Sequence, residues 1–208
     1  MFRTIGLVAA AVMAAAGWTG AAFAADGETT GSRILIVYFS HTGTTKEIAE
    51  RLQQKLGAAI HRIEPATAYP TDRQALFEQA QKEVDEDVQP ELKGEWPDLK
   101  DFDLVLVGGP VWFGSLAPPV LSFLAKADLE KKFVAPFCTF GGSLGTYFED
   151  FEAAVPGGTP AVHSGGTFWP TNAKVAVLNG LALGKTVIAN EEDLEKAIDD
   201  WAAKLPQK

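Results

Sequence analysis

Ile34-Leu35-Ile36-Val37-Tyr38-Phe39, followed by Ser40-His41-Thr42-Gly43-Thr44-Thr45, is the stretch on which the fold turns. The first six residues are continuously apolar and rich in β-branched and aromatic types, the pattern of a strand buried on both faces of a parallel sheet. Ile48, Leu52 and Leu56 then recur at helical spacing, so a helix leaves the strand almost at once. The turn between them carries hydroxyls at Ser40, Thr42, Thr44 and Thr45 around the single glycine Gly43. One Ser or Thr there would be an ordinary N-cap. Four exceed what capping needs, and a hydroxyl-rich turn at the positive end of a helix is built to hold a phosphate.

Strand and helix patterns alternate along the rest of the chain. Residues 58–63 read as a second strand, and Thr71 or Asp72 caps a helix with Leu76, Phe77, Ala80, Val84 and Val88 on one face. Phe102-Asp103-Leu104-Val105-Leu106-Val107 is a third strand running into Gly108-Gly109-Pro110, and Pro118-Pro119 open the helix that follows. Residues 133–139 form a fourth strand, followed by Gly141-Gly142 and a helix reaching about Val155. Residues 156–171 read as a loop with one short extended piece, Ala161-Val162-His163, and 175–183 as a fifth strand region. A last helix starts at Asn190 and buries Leu194, Ile198, Trp201 and Leu205. Five alternations predict one domain, an open parallel sheet with helices on both faces.

Met1-Phe2-Arg3, the apolar run from Ile5 to Ala16 and Ala22-Phe23-Ala24 read as a Sec-type signal peptide cleaved near Ala24. Its apolar run is too short for a stable membrane span. Residues 25–32 then form a flexible N-terminal segment and 33–208 the folded domain, working in the periplasm or secreted. The formal charge of −9 on 208 residues argues against nucleic acid or an anionic membrane as partner. It suits docking to a basic protein face. Cys138 is the only cysteine, so no internal disulfide is possible, and its apolar surroundings mark it as a small buried hydrophobe.

Ligands of open α/β sheets sit beyond the carboxyl ends of the strands. Besides the Ser40–Thr45 turn, two further loops leave such ends: Gly109-Pro110-Val111-Trp112-Phe113-Gly114-Ser115, and Thr139-Phe140-Gly141-Gly142-Ser143-Leu144-Gly145. Two large aromatics between glycines suggest a cover for something flat, and a stretch nearly free of side chains lets backbone approach it closely.

Together, Ser40-x-Thr42-Gly43-x-Thr45, Pro110-Val111-Trp112-Phe113-Gly114 with Pro118-Pro119, and Phe137-Cys138-Thr139 with Gly141-Gly142-Ser143 resemble the flavodoxin family over roughly Arg33 to Leu205. The resemblance implies a flavodoxin-like doubly wound sheet of five parallel strands in the order 2-1-3-4-5, binding FMN without a covalent link. Ser40, Thr42, Gly43, Thr44 and Thr45 would wrap the FMN phosphate with neutral donors. Pro110, Val111, Trp112, Phe113 and Gly114 would lie beside the ring, with Trp112 or Phe113 stacked on it and the Gly114 carbonyl turned toward flavin N5. Thr139, Phe140, Gly141, Gly142 and Ser143 would meet the ribityl chain and pyrimidine edge, and Phe140 would stack on the second ring face or merely pack. Residues 157–174 look like an insertion, in which His163, Phe168 and Trp169 form a partner surface or a packed loop.

The function implied is electron transfer, to a redox protein with a basic face or to a small quinone-like acceptor. No metal site and no catalytic residue is assigned. An NAD(P)H- or quinone-dependent FMN oxidoreductase is the alternative, needing a second substrate pocket over the flavin. Gly141-Gly142-Ser143-Leu144-Gly145 also fits G-x-S-x-G, and Asp150 and His163 follow in the order of a serine hydrolase triad. Asp150 lies in the helix that the elbow would open, whereas a triad acid comes from a later loop. A P-loop between Gly109 and Gly114 fails because Ser115 stands where lysine is needed.

Overall fold

The computed structural model describes residues 33–155, 159–160, 180–183, 186–188, 196, 199–200 and 203. In chain order the elements begin β1 (Ile34–Tyr38), α1 (Thr44–Leu56), β2 (Ala59–Arg62), α2 (Arg73–Asp85) and β3 (Leu104–Trp112). They continue with β4 (Ser115–Leu116), α3 (Pro118–Lys126), β5 (Phe133–Phe140), α4 (Tyr147–Ala154), β6 (Thr159–Pro160), β7 (Gly180–Leu183) and β8 (Thr186–Ile188).

β1 lies between β2 and β3, and β3 continues the sheet to β5, all in parallel. The alternation of a strand sends Leu35, Val37 and Phe39 to one face and Ile36 and Tyr38 to the other. The second face is closed by α1 through Ile48, Ala49 and Leu52. The first is closed by α3 and α4, with Val120, Phe123, Leu124, Phe148 and Phe151 buried against it. Pro118 and Pro119 occupy the first turn of α3, where proline leaves no helical bond unmade. Cys138 is a buried free thiol within this packing, as its sequence context predicts.

The expected order holds, with β5 and β6 as the fourth and fifth parallel members after the two-residue β4 is set aside in its hairpin. The expected fifth strand differs in detail. Within 175–183 the described strand is β7, and it pairs with β5 in antiparallel sense, Phe137 to Leu183 through Phe140 to Gly180. The parallel place beside β5 goes to the short β6, which pairs only Phe133 and Val134. That leaves the carboxyl half of the β5 edge with backbone groups to satisfy. β7 fills it as one arm of an antiparallel hairpin with β8.

Two other expectations are corrected. The third strand, expected over Phe102–Val107, starts at Leu104 and runs on to Trp112, and the loop expected from Gly109 includes the turn of a β-hairpin with β4. The predicted apolar face of α2 is only partly used: Ala80 is buried, whereas Phe77 is 54 % exposed and Val88 37 %. Asp72 caps this helix as predicted, accepting the Ala75 N–H at 2.9 Å. The expected leader 1–24, residues 25–32, Ala161-Val162-His163, Phe168, Trp169, Asn190, Leu194, Ile198, Trp201 and Leu205 lie outside the described residues. No helix among the described residues is long and apolar enough to cross a membrane.

Gly108 sits opposite Phe137 in the β3–β5 register, and a Cβ on it would lie 2.0 Å from the Phe137 ring. Gly108→Ala is therefore expected to lower the unfolding free energy by roughly 1–3 kcal/mol or more, read by urea denaturation. Phe137→Ala should cost less stability in that background than alone. Additive losses would show that the ring does not occupy the space over Gly108.

Candidate functional site

The turn after β1 is closed by the hydroxyl of its first residue. Ser40 is 3 % exposed, and its Oγ accepts the Gly43 N–H at 3.1 Å. Gly43 is the N-cap of α1 at φ 101°, a conformation that suits glycine, and no side chain caps the helix. The hydroxyls are thus not spent on capping. The N–H groups of the first helical turn, which have no partner within a helix, face outward together with the exposed hydroxyls of Thr42 and Thr44. Thr45 does something else. It is 2 % exposed, and its Oγ1 lies 2.8 Å from Thr139 Oγ1, tying the turn to the end of β5.

The second loop is a two-residue hairpin turn. Val111 pairs with Leu116 and Trp112 with Ser115, leaving Phe113 (φ 51°) and Gly114 (φ 80°) at the tip. Two positive φ values match the twist of a tight hairpin, and a phenylalanine in the first of them carries strain. Trp112 is half-buried in an aromatic cluster, edge-on to Tyr69 at 4.9 Å and to Phe39 at 5.6 Å. Phe113 is 38 % exposed, and among the described residues its one ring contact is with Phe77, edge-on at 4.9 Å.

The third loop is bolted to that hairpin by backbone. Thr146 N–H donates to the Gly114 carbonyl at 2.8 Å. A Cβ on Gly145 (φ 55°) would come within 2.3 Å of that same oxygen, so the two glycines are in direct contact. The Gly114 carbonyl, expected to turn toward a ligand, is thus already committed to Thr146. Asp150 adds a side-chain bolt, accepting Ser115 Oγ–H at 2.6 Å and Thr146 Oγ1–H at 2.8 Å. This arrangement gives the serine hydrolase reading no support. Asp150 is occupied, Ser143 Oγ accepts the Gly145 N–H at 3.1 Å, and His163 lies outside the described residues. Gly141, Gly142 and Ser143 are exposed at the rim, with Phe140 half-buried beneath them.

Pro110 and Val111 lie on β3 itself, and Thr139 on β5 opposite Pro110. The cleft therefore has a floor of strand ends, a hydroxyl and N–H wall on one side and two glycine-hinged loops on the other. Sequence reasoning missed Tyr69. It supports Trp112 and donates its hydroxyl to Glu83, and burial with that bond drives its ionisation well above the usual tyrosine range. It also missed Thr146 and the positioning role of Asp150, which no local pattern after Gly145 marks. His61 on β2 is held below its ordinary pKa by burial, away from the cleft loops.

The sequence profile of the flavodoxin family matches residues 33–167. Among solved structures, a flavoprotein from Lactobacillus acidophilus in complex with FMN superposes with a TM-score of 0.56 at 25 % identity, over 61 % of this chain and 87 % of that one. A candidate flavoprotein from Bacteroides eggerthii superposes with a TM-score of 0.64 at 25 % identity, over 84 % and 98 % of the two chains. Another, from Bacteroides uniformis, gives 0.56 at 25 % identity over 62 % and 85 %. No curated protein matches this sequence.

Thr45→Val strands the Thr139 hydroxyl without a partner and is expected to cost about 1–3 kcal/mol in urea unfolding. The double variant with Thr139→Val removes both polar groups and should recover most of that loss. At alkaline pH Tyr38, Tyr69 and Tyr147 all have a raised folded-state pKa, so each gives stability present below pH 10, the unmodified value, and lost above it. Tyr69→Phe should lessen the loss of stability above pH 10 while Tyr38 and Tyr147 keep their share, and an unchanged slope would show that Tyr69 contributes none of it.

Proposed function

The chain belongs to the flavodoxin family, and on that premise we propose that it is an FMN-binding electron-transfer protein acting outside the cytoplasm. The observation that carries the reading is the convergence of an uncapped, hydroxyl-flanked helix start with two glycine-hinged loops at one end of the sheet. The FMN complex of the Lactobacillus neighbour supports the choice of cofactor. When bound, FMN supplies the exchange of electrons one or two at a time.

The residues present fit such a group. The phosphate is held by the N–H groups opening α1 and the hydroxyls of Thr42 and Thr44, with Ser40 and Thr45 holding the shape of the cradle from beneath. These donors are neutral, so the dianion is stabilised by oriented dipoles rather than by a buried cation. Phe113 is the aromatic free to lie against the ring, and Trp112 buttresses the hairpin behind it. Thr146 and Asp150 keep the hairpin and the third loop at fixed separation, which orients the ring edge and excludes water from that side. The acids of α2 and its flanks, Asp72, Glu78, Glu83, Asp85, Glu86 and Asp87, belong to the same segment as Phe77 and suit a redox partner with a basic face.

Export is supported by the leader pattern of residues 1–24. Its test is the N-terminal sequence of the protein recovered from outside the cytoplasm, expected to begin at Ala25; an intact Met1 there would overturn cleavage.

Purified chain is expected to take up one FMN per chain, seen in the visible flavin absorbance. Thr42→Glu and Thr44→Glu, both at exposed positions, should lower FMN affinity at least tenfold without loss of fold, since a carboxylate replaces a donor beside the phosphate. Retained affinity would remove the turn as the phosphate site. Phe113→Asn should raise stability by up to ~1 kcal/mol by relieving the positive-φ strain, while weakening FMN binding. A stepwise reductive titration then separates two functions. Two resolved one-electron potentials support a carrier, whereas a single two-electron reduction by NADPH supports a reductase.

A further inference from the structure

Beside the phosphate turn, on the β2 side and away from the hairpin tip, lies a second cavity of about 210 Å³. Its floor is apolar and aromatic: Phe39, Ile63 and Tyr69 are each nearly or fully buried. The His41 ring stands edge-on to Tyr69 and to Trp112, 6.4 Å from each, so it walls the cavity off toward the cleft. The rim carries Arg62 and Lys93, with Glu64 as its one acid.

Three features make this a built site. The first is charge. In a chain with 27 acids and 18 Lys and Arg, two cations line one small cavity. Neither forms an ion pair among the described residues. The second is position. The Arg62 side chain is exposed, and its guanidinium donates to the Ser40 carbonyl at 3.3 Å, which ties its charge to the cavity mouth. The third is support. The segment bearing Lys93 is clamped to the cavity wall by two backbone bonds, Ala66 N–H to the Glu91 carbonyl and Lys93 N–H to the Glu64 carbonyl, both 2.7 Å. An isolated bridge between Pro65 and Leu92 lies between them.

We propose that this cavity binds a planar aromatic anion, its ring on the Tyr69–His41 wall and its phosphate or carboxylate between Arg62 and Lys93. The cation pair supplies charge-assisted bonds and the aromatic floor takes up the ring face. Two sources share this chemistry: the phosphorylated adenosine end of a nicotinamide dinucleotide, and a ring acid such as a quinone carboxylate. Either would be the second small substrate of a flavin reductase, and in that sense the proposal rests on the FMN reading. The site itself does not depend on FMN being present.

The test is calorimetric titration of the full chain, FMN-saturated and FMN-free, with adenosine 2′-monophosphate, benzoate and inorganic phosphate. At least one ring anion should bind saturably to the FMN-saturated chain and more tightly than inorganic phosphate. Arg62→Gln and Lys93→Gln should each weaken it about tenfold, the scale of one charge-assisted hydrogen bond. Lys100→Gln, at the opposite end of the strands, should leave it unchanged. Binding of adenosine 2′-monophosphate alone points to the dinucleotide, and of benzoate alone to a ring acid; both outcomes support the site. No saturable binding, equal affinity for inorganic phosphate, or indifference to Arg62→Gln and Lys93→Gln would overturn it. If the chain takes up no FMN in the absorbance titration, the flavin reading fails separately, and the FMN-free titration still decides the cavity.

Discussion

Leu35, Ile36 and Val37 have no exposed surface at all, and that single fact organises the molecule. A strand covered on both faces by helices and on both edges by parallel neighbours can leave the sheet only at its end. Its neighbours run parallel, so their exits lie at the same end, and the turns after β1, β3 and β5 are brought side by side. No special interaction is needed to assemble the cleft. The core assembles it.

What the core does not do is set the distances between those turns. That falls to a few polar and backbone contacts at the rim: Thr45 with Thr139, Thr146 with the Gly114 carbonyl, and Asp150 with Ser115 and Thr146. Each is worth about 1 kcal/mol or a little more. Together they are small beside the burial of the strands, yet they fix the two loops to within a hydrogen bond's tolerance. Gly145 must be glycine for this reason, because any Cβ would strike the Gly114 peptide. Stability and site geometry thus rest on different parts of the same chain.

The division also explains what could be read from the sequence. The alternation of strands and helices, the helix following β1, a cap at Thr71 or Asp72 and the proline start of α3 follow from local patterns and were legible there, whereas the sheet order came only with the family resemblance. The three loops were legible as a group because glycines and hydroxyls cluster where strands end. The role of each residue within them was not. Thr45 looks like Thr42 and Thr44 in sequence, but the helical turn points it inward to a partner 94 residues away. Gly114 looks free to present its carbonyl, but the Thr146 N–H has taken it. The antiparallel sense of β7 was hidden for a similar reason. It is set by which part of the β5 edge the short β6 leaves open.

The contrast between the two binding regions bears on function more than either does alone. The cleft over β1, β3 and β5 offers neutral donors and glycine backbone. Such donors hold a phosphate through fixed dipoles that neither titrate nor need a counter-charge when the site is empty. The cavity on the β2 side offers the reverse, two full charges over an aromatic floor. In an acidic protein such charges are readily compensated by nearby carboxylates, yet neither forms an ion pair among the described residues. A resident group that stays bound is well served by the first arrangement. A substrate that must arrive from solution and leave again is better served by the second, because exposed charge raises the rate of encounter more than it slows release. A carrier that only meets protein partners has use for the first kind of site alone, so a ring anion seated in the second would separate a reductase from a carrier.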